Sequence, residues 1–307
     1  MSDLRIPIGR YARRVFWAVI LSSIGLIILV RFLLIPKIFG TNTPSVAELL
    51  NQSLGDIFST IVAATVLSGV VLWLIAPSKK RVDLEVIHPK DIGVILDRAL
   101  RDARSWHYSG STGRWNRSKV LPALASAARR TNSTRSCRMI ILDPENERIC
   151  TAYANYRRGL RTGRGNDWDL RSVRADLCAT IVLAALHKSR EPLLDIRLFV
   201  KAQSPVFRVD ASGEHLVLTR EDPAEPALAC GAGTHFFDAF MESVNFDARQ
   251  ARELEISEQV PGDKKLDRDI VRQVLDTAAL QLHELASDNF VDQILEKAVS
   301  PKNPYGF

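Results

Sequence analysis

Two stretches near the N-terminus break the ordinary mixing of polar and apolar positions. Residues 15–35, VFWAVILSSIGLIILVRFLLI, carry a single charge, Arg31, and residues 57–76, IFSTIVAATVLSGVVLWLIA, carry none before Pro77. At about 1.5 Å of rise per residue, each run is long enough to cross a hydrocarbon core of about 30 Å. The first run is longer than the apolar part of a secretory leader and has no small-x-small site behind it, so a retained span is expected. Trp17 and Trp73 fall near the ends, where amphipathic rings settle at a membrane interface. The pattern predicts a two-helix transmembrane hairpin within residues 1–81.

From residue 82 the periodicity alternates between two and 3.6. Helical spacing is read over Asp91–Arg104, Ser118–Arg130, Glu147–Arg158, Leu170–His187 and Phe236–Glu255. Strand-like runs are Val82–Ile87, Trp106–Ser109, Arg138–Leu142, Leu193–Val200, Val206–Val209 and His215–Thr219, with Asp210-Ala211-Ser212-Gly213 read as a hairpin turn. Strands separated by helices of this length predict an α/β domain, a mixed sheet layered with helices, over residues 82–260. Residues 261–307 are expected to form a C-terminal amphipathic helix and tail. Its stripe from Ile270 to Leu285 is expected to pack on the domain, with the joining of subunits in a homo-oligomer as the alternative.

Charge refines this division. The net charge of +6 resides in residues 1–81, where nine basic residues face three acids, whereas the rest of the chain holds 32 of each. Arg10, Arg13 and Arg14 precede the first run, and Lys79, Lys80 and Arg81 follow the second. The positive-inside rule then places both termini in the cytoplasm and the protein in the cell (inner) membrane. The high pI therefore belongs to the membrane flanks, and no specific nucleic-acid partner is expected. Within the soluble part, residues 98–190 hold 17 Arg and two Lys against seven acids, while residues 191–307 hold 12 basic residues against 21 acids. Guanidinium forks match phosphate geometry, so the basic part suits an anionic ligand pocket, anionic lipid, or pairing with the acidic part.

The run HYSGSTGRW, a helix, RMIILDP and, after a long gap, VFRVDASGEHLVLTRED resemble one half of a phospholipase D-like (HKD superfamily) domain over roughly residues 95–255. They are also similar to bacterial domains with an SG-x-x-GR loop, an ILDP strand end and an FR-x-D…LT-x-ED hairpin. The resemblance implies a layered α/β fold and phosphodiester chemistry. The superfamily's His-x-Lys and following Asp are absent, however: no His precedes Arg208, and after His88-Pro89-Lys90 the matching position is Ile95. No catalytic residue is therefore carried over, and a phosphodiesterase or nuclease with a non-standard site, using His215 or Asp210, is the alternative.

The candidate ligand-binding residues lie in the Gly/Ser-rich loop and at strand ends: Ser109, Gly110, Ser111, Gly113, Arg114, Asp143, Arg208 and Asp210. A loop between a strand and a helix N-terminus offers backbone N–H groups to anions. It matches neither a Walker loop nor a dinucleotide fingerprint, so no cofactor is expected. Cys137, Cys150, Cys178 and Cys230 form no CxxC pair and no zinc-site spacing, which predicts free thiols and no metal. Trp115 and Trp168 are expected in the core, with base stacking the alternative. The combined expectation is a membrane-anchored cytoplasmic sensor or effector whose partners are the lipid bilayer and an anionic small molecule, a nucleotide among the candidates. Its architecture resembles that of bacterial antiviral effectors responding to cyclic nucleotides. A scaffold docking on anionic lipid or a partner protein is the remaining alternative.

Overall fold

The computed structural model describes residues 83–163, 168–256 and 265–305, with scattered positions before them. The runs 15–35 and 57–76 lie outside the described residues except at a few helical positions such as Ser22, Leu29, Ile57 and Leu67. Among the described residues no helix is long and apolar enough to cross a membrane. The chain divides into two compact units, Met1–Lys80 and Arg81–Phe307.

The second unit is built on an eight-stranded mixed sheet in the order β1-β7-β6-β5-β2-β3-β4-β8. Its strands are β1 (Glu85–Ile87), β2 (Ser105–Ser109), β3 (Arg135–Leu142), β4 (Leu194–Lys201), β5 (Arg208–Ser212), β6 (His215–Thr219), β7 (Ala227–Gly231) and β8 (Arg252–Leu254). β2, β3 and β4 are parallel, and every other pairing is antiparallel. The helices are α1 (Ile92–Arg101), α2 (Leu121–Thr131), α3 (Glu147–Gly159), α4 (Leu170–Arg190), α5 (His235–Gln250), α6 (Arg268–Thr277) and α7 (Asp288–Val299).

Alternation along the central strands sorts the side chains into two cores. Trp106, Tyr108, Met139, Ile141, Ile196 and Leu198 face the larger helical layer, while Ile140, Phe199, Val209 and Leu218 face Phe237 and Val244 of α5. α4 is the axis of the larger layer. From Val173 to Leu186 every residue except Leu183 is buried, so the helix has no solvent face. It packs against β4 and α3, and α6 and α7 cover the rest of it. Each fully buried aliphatic side chain at such an interface contributes about 1.5–3 kcal/mol.

Local signals explain the helix starts. The side chains of Asn146, Asp169, Thr234 and Asp267 each accept a backbone N–H three residues on, at 3.1, 2.6, 3.3 and 2.9 Å, capping α3, α4, α5 and α6. Three expectations need correction. β5 continues through Asp210 to Ser212, and the hairpin turns at Gly213-Glu214, where Ser212 Oγ accepts from the amides of Glu214 and His215 at 3.3 and 3.1 Å. The expected helix to Glu255 stops at Gln250, after which the chain extends and β8 pairs with β4. The C-terminal stripe is two helices, and it joins the main core through Val271, Val274, Phe290 and Ile294.

Candidate functional site

The interior strand β2, paired with β5 and β3, has its C-terminal end at one end of the sheet's strands, and most of the charged interior gathers along that rim. The chain leaves Ser109, runs through the loop 110–114 and enters a single π-helical turn, Asn116–Val120, which continues into α2. Such π turns interrupt helices mostly where function demands a particular side-chain direction. Here the turn carries Asn116 and Arg117 inward, at 0% and 3% exposure. Because β5 is antiparallel to β2, its first residue Arg208 arrives at the same rim, and β6 delivers Glu221 there just beyond its end.

The glycine loop works differently from the expected anion cradle. Gly110 N donates to the Ile140 carbonyl at 3.0 Å, and the amides of Ser111 and Gly113 donate to the Tyr108 hydroxyl at 3.1 and 3.3 Å. These three N–H groups are thus engaged inside the fold. Gly110 is required because a Cβ there would lie 2.2 Å from Tyr108 Oη, and Gly113 because its φ is +68°. The loop acts as a rigid bracket that aims side chains: Ser111 Oγ donates to Glu221, and Arg114 donates to Asp176 of α4.

Arg114, Asp176 and Glu221 line a cavity of about 480 Å³. Among the described residues, its wall contains Arg114, Arg117, Arg157, Arg208, Lys297 and Lys302 against Asp176, Glu221 and Glu296, a surplus of three positive charges. α3 contributes Tyr153 and Arg157, α4 contributes Ser172 and Asp176, and α7 with the tail beyond it closes one side. Asp176 accepts from Arg114 Nε at 2.9 Å and Arg117 Nη2 at 2.6 Å, with Lys297 Nζ 3.7 Å away. Burial would raise this carboxyl, but Arg117 and Arg114 override it and hold it well below the usual carboxylate range. Glu221 accepts from the Tyr153 hydroxyl at 2.8 Å and lies 3.3 Å from Arg157 and 3.6 Å from Arg208. It too is lowered, burial again being overcome by its two arginines. Arg208 also donates to the Tyr305 hydroxyl at 2.5 Å, which ties the C-terminal tail to the cavity wall.

Trp168 sits between these groups. The Arg114 guanidinium carbon lies 4.4 Å, and that of Arg157 4.6 Å, from its ring centroid. With its ring so occupied and 4% exposed, Trp168 is a core residue and offers no face for stacking on a base. Trp115 is buried against Trp106 at 5.4 Å. Among the described residues, the Trp168 Nε1, Arg117 Nε and Arg157 Nε donors are buried without an acceptor. A buried orphan donor costs about 1–3 kcal/mol, and these three are closed off from the cavity space as well as from solvent.

Of the sequence candidates, Arg114 and Arg208 line the cavity, and Ser111, Gly110 and Gly113 shape its bracket. Asp210 is 2% exposed, accepts from Asn116 Nδ2 at 3.3 Å and stands behind the wall. Ser109 turns to the other face of the sheet, where its hydroxyl donates to Asp247 at 2.8 Å and accepts from Lys201 at 2.9 Å. Asp143 closes a turn on the Glu145 amide at 3.0 Å and faces Arg252 at 3.4 Å, away from the cavity. His215 lies at the far end of the β5–β6 hairpin, beside a second cavity of about 470 Å³ lined by Arg98, Arg101 and Arg104. No His or Cys is among the residues lining the first cavity, all four cysteines are buried free thiols, and among the described residues no cluster of acids, His and Cys could hold a metal. No known family profile matches the chain, nor does any curated protein or solved structure.

Proposed function

We propose that the cavity at the β2 rim binds an anionic, phosphate-bearing small molecule, with nucleotides as the leading class. The protein would then act as a membrane-anchored ligand sensor or effector. The observation that carries this reading is the surplus of three cations on the cavity wall, beyond what Asp176, Glu221 and Glu296 neutralise. A purely structural network has no need of that surplus, because uncompensated charge in a part-buried site is costly. Guanidinium groups that retain unused donors favour phosphate oxygens over water. The layered sheet would be a phospholipase D-like scaffold put to use for binding without its nucleophile. The two apolar runs with their basic flanks support an anchor that keeps this domain at the inner face of the bilayer. In this arrangement the protein is similar to two-span antiviral effectors of bacteria.

A thermal-shift panel of nucleotides and sugar phosphates on the full-length chain in detergent tests the reading. Raised melting temperatures are expected for phosphate-bearing compounds and not for their dephosphorylated partners. Arg114→Ala and Lys302→Ala should each diminish the shift. Absence of any phosphate-dependent shift, or a shift indifferent to both substitutions, contradicts it.

A further inference from the structure

The cations of the cavity do not form one cluster. They divide between two buried carboxylates. Arg114, Arg117 and Lys297 surround Asp176, with Arg117 at 2.6 Å and Lys297 at 3.7 Å. Arg157 and Arg208 flank Glu221 at 3.3 and 3.6 Å. One carboxylate neutralises one cation in each group, so both groups retain positive charge.

The two groups are close. Ser111 is bonded to Glu221 and Arg114 to Asp176, and only three chain steps separate Ser111 from Arg114. The guanidinium carbons of Arg114 and Arg157, one from each group, lie 4.4 and 4.6 Å from the Trp168 ring centroid and are therefore no more than about 9 Å apart. Trp168 lies between the groups, in contact with Arg114 of one and Arg157 of the other. Its engaged ring leaves recognition to charge and hydrogen bonding rather than to stacking.

From this division we infer that the natural ligand carries two phosphoryl groups, one neutralised by the Asp176 group and one by the Glu221 group. The inference rests on the cavity being an anion site. A monophosphate would neutralise one group and leave the other with its excess positive charge. A bisphosphate of suitable span satisfies both.

Calorimetric titration of the full-length chain with fructose 6-phosphate and fructose 1,6-bisphosphate separates the possibilities, because the two probes share a sugar and differ in one phosphoryl group. The bisphosphate should bind at least about tenfold tighter, the gain that one further charge-assisted contact supports. Lys297→Gln and Arg157→Gln should each collapse that ratio toward one, Arg157→Lys should restore part of it, and Arg252→Gln, remote from the cavity, should leave it unchanged. Equal affinities for the two probes, or a ratio that survives both substitutions, overturn the two-phosphoryl inference while leaving an anion site standing. Failure of the bisphosphate to bind while any monophosphate compound shifts the melting temperature also overturns it, and if no phosphate compound binds or shifts the melting temperature, the anion site itself is refuted along with it.

Discussion

His187 and Asp210 are buried titratable side chains with opposite consequences for stability. Burial, followed by Arg190 and Arg129, lowers His187 from 6.5 to about 4. Its protonation is disfavoured in the folded chain, so this contribution to stability is complete above pH 6.5 and is lost as the pH falls toward about 4. Burial raises Asp210 from 3.8 to about 6, against the opposing pull of Arg208 and the hydrogen bond from Asn116. The folded chain favours the neutral acid, so the Asp210 contribution is complete below pH 3.8 and is lost as the pH rises through about 6. Melting curves across this range should therefore show His187→Gln losing less stability than the parent on acidification. Asp210→Asn should gain stability on the alkaline side, where the parent must bury an ionised carboxylate. Profiles that run parallel to the parent would show that neither site titrates as its surroundings require. At this scale the sequence revealed Arg114 and Arg208, whose motif positions lie at the right rim of the sheet. It did not reveal Asp176, Glu221, Arg157 or Lys297, because their meaning arises from pairing across 59 or more positions for Arg117 with Asp176 and 64 for Arg157 with Glu221. Strand-end position alone also misplaced Ser109 and Asp143, since a strand end does not reveal which face or neighbour a side chain will meet.

Among the elements, those with both a cap and a long periodic run were legible. α3 and α4 begin where Asn146 and Asp169 cap them, and α4 extends to Arg190 through an apolar stretch that admits no other packing. β3 and β4 were legible as apolar runs but begin or end a few residues from the expected positions, because charged Arg135 and Lys201 continue the pairing. β7 was not read at all. Ala227–Gly231 is a short run of small residues, held by pairing with β6 and β1 rather than by its own pattern. β8 was hidden inside an apparent helix, since Arg252–Leu254 continues a sequence that stays amphipathic after Gln250. The break between α6 and α7 was equally silent, although Ala279 adopts a φ of +52° there and turns the chain without a glycine.

At the level of the whole molecule, the basic and acidic parts of the second unit meet only in part. Arg157 with Glu221 and Arg174 with Glu284 join them, whereas Arg114 and Arg117 pair with Asp176 of the basic part itself. That incomplete cancellation leaves the cavity positive, and it became visible only once the chain was folded. The apolar runs 15–35 and 57–76 set the other expectation at this scale. The full-length chain should partition with detergent, and a tag after Phe307 should resist protease added outside intact cells. An aqueous, detergent-free product, or a tag digested from outside, contradicts the anchor.

Hydrogen–deuterium exchange on the full-length chain with and without fructose 1,6-bisphosphate locates the anion site. Exchange should slow in residues 111–117, 157–163, 172–176 and 297–305, with residues 98–104 and 212–215 beside the second cavity unchanged. Protection confined to the second cavity, or no protection at the β2 rim at saturating ligand, would contradict that location.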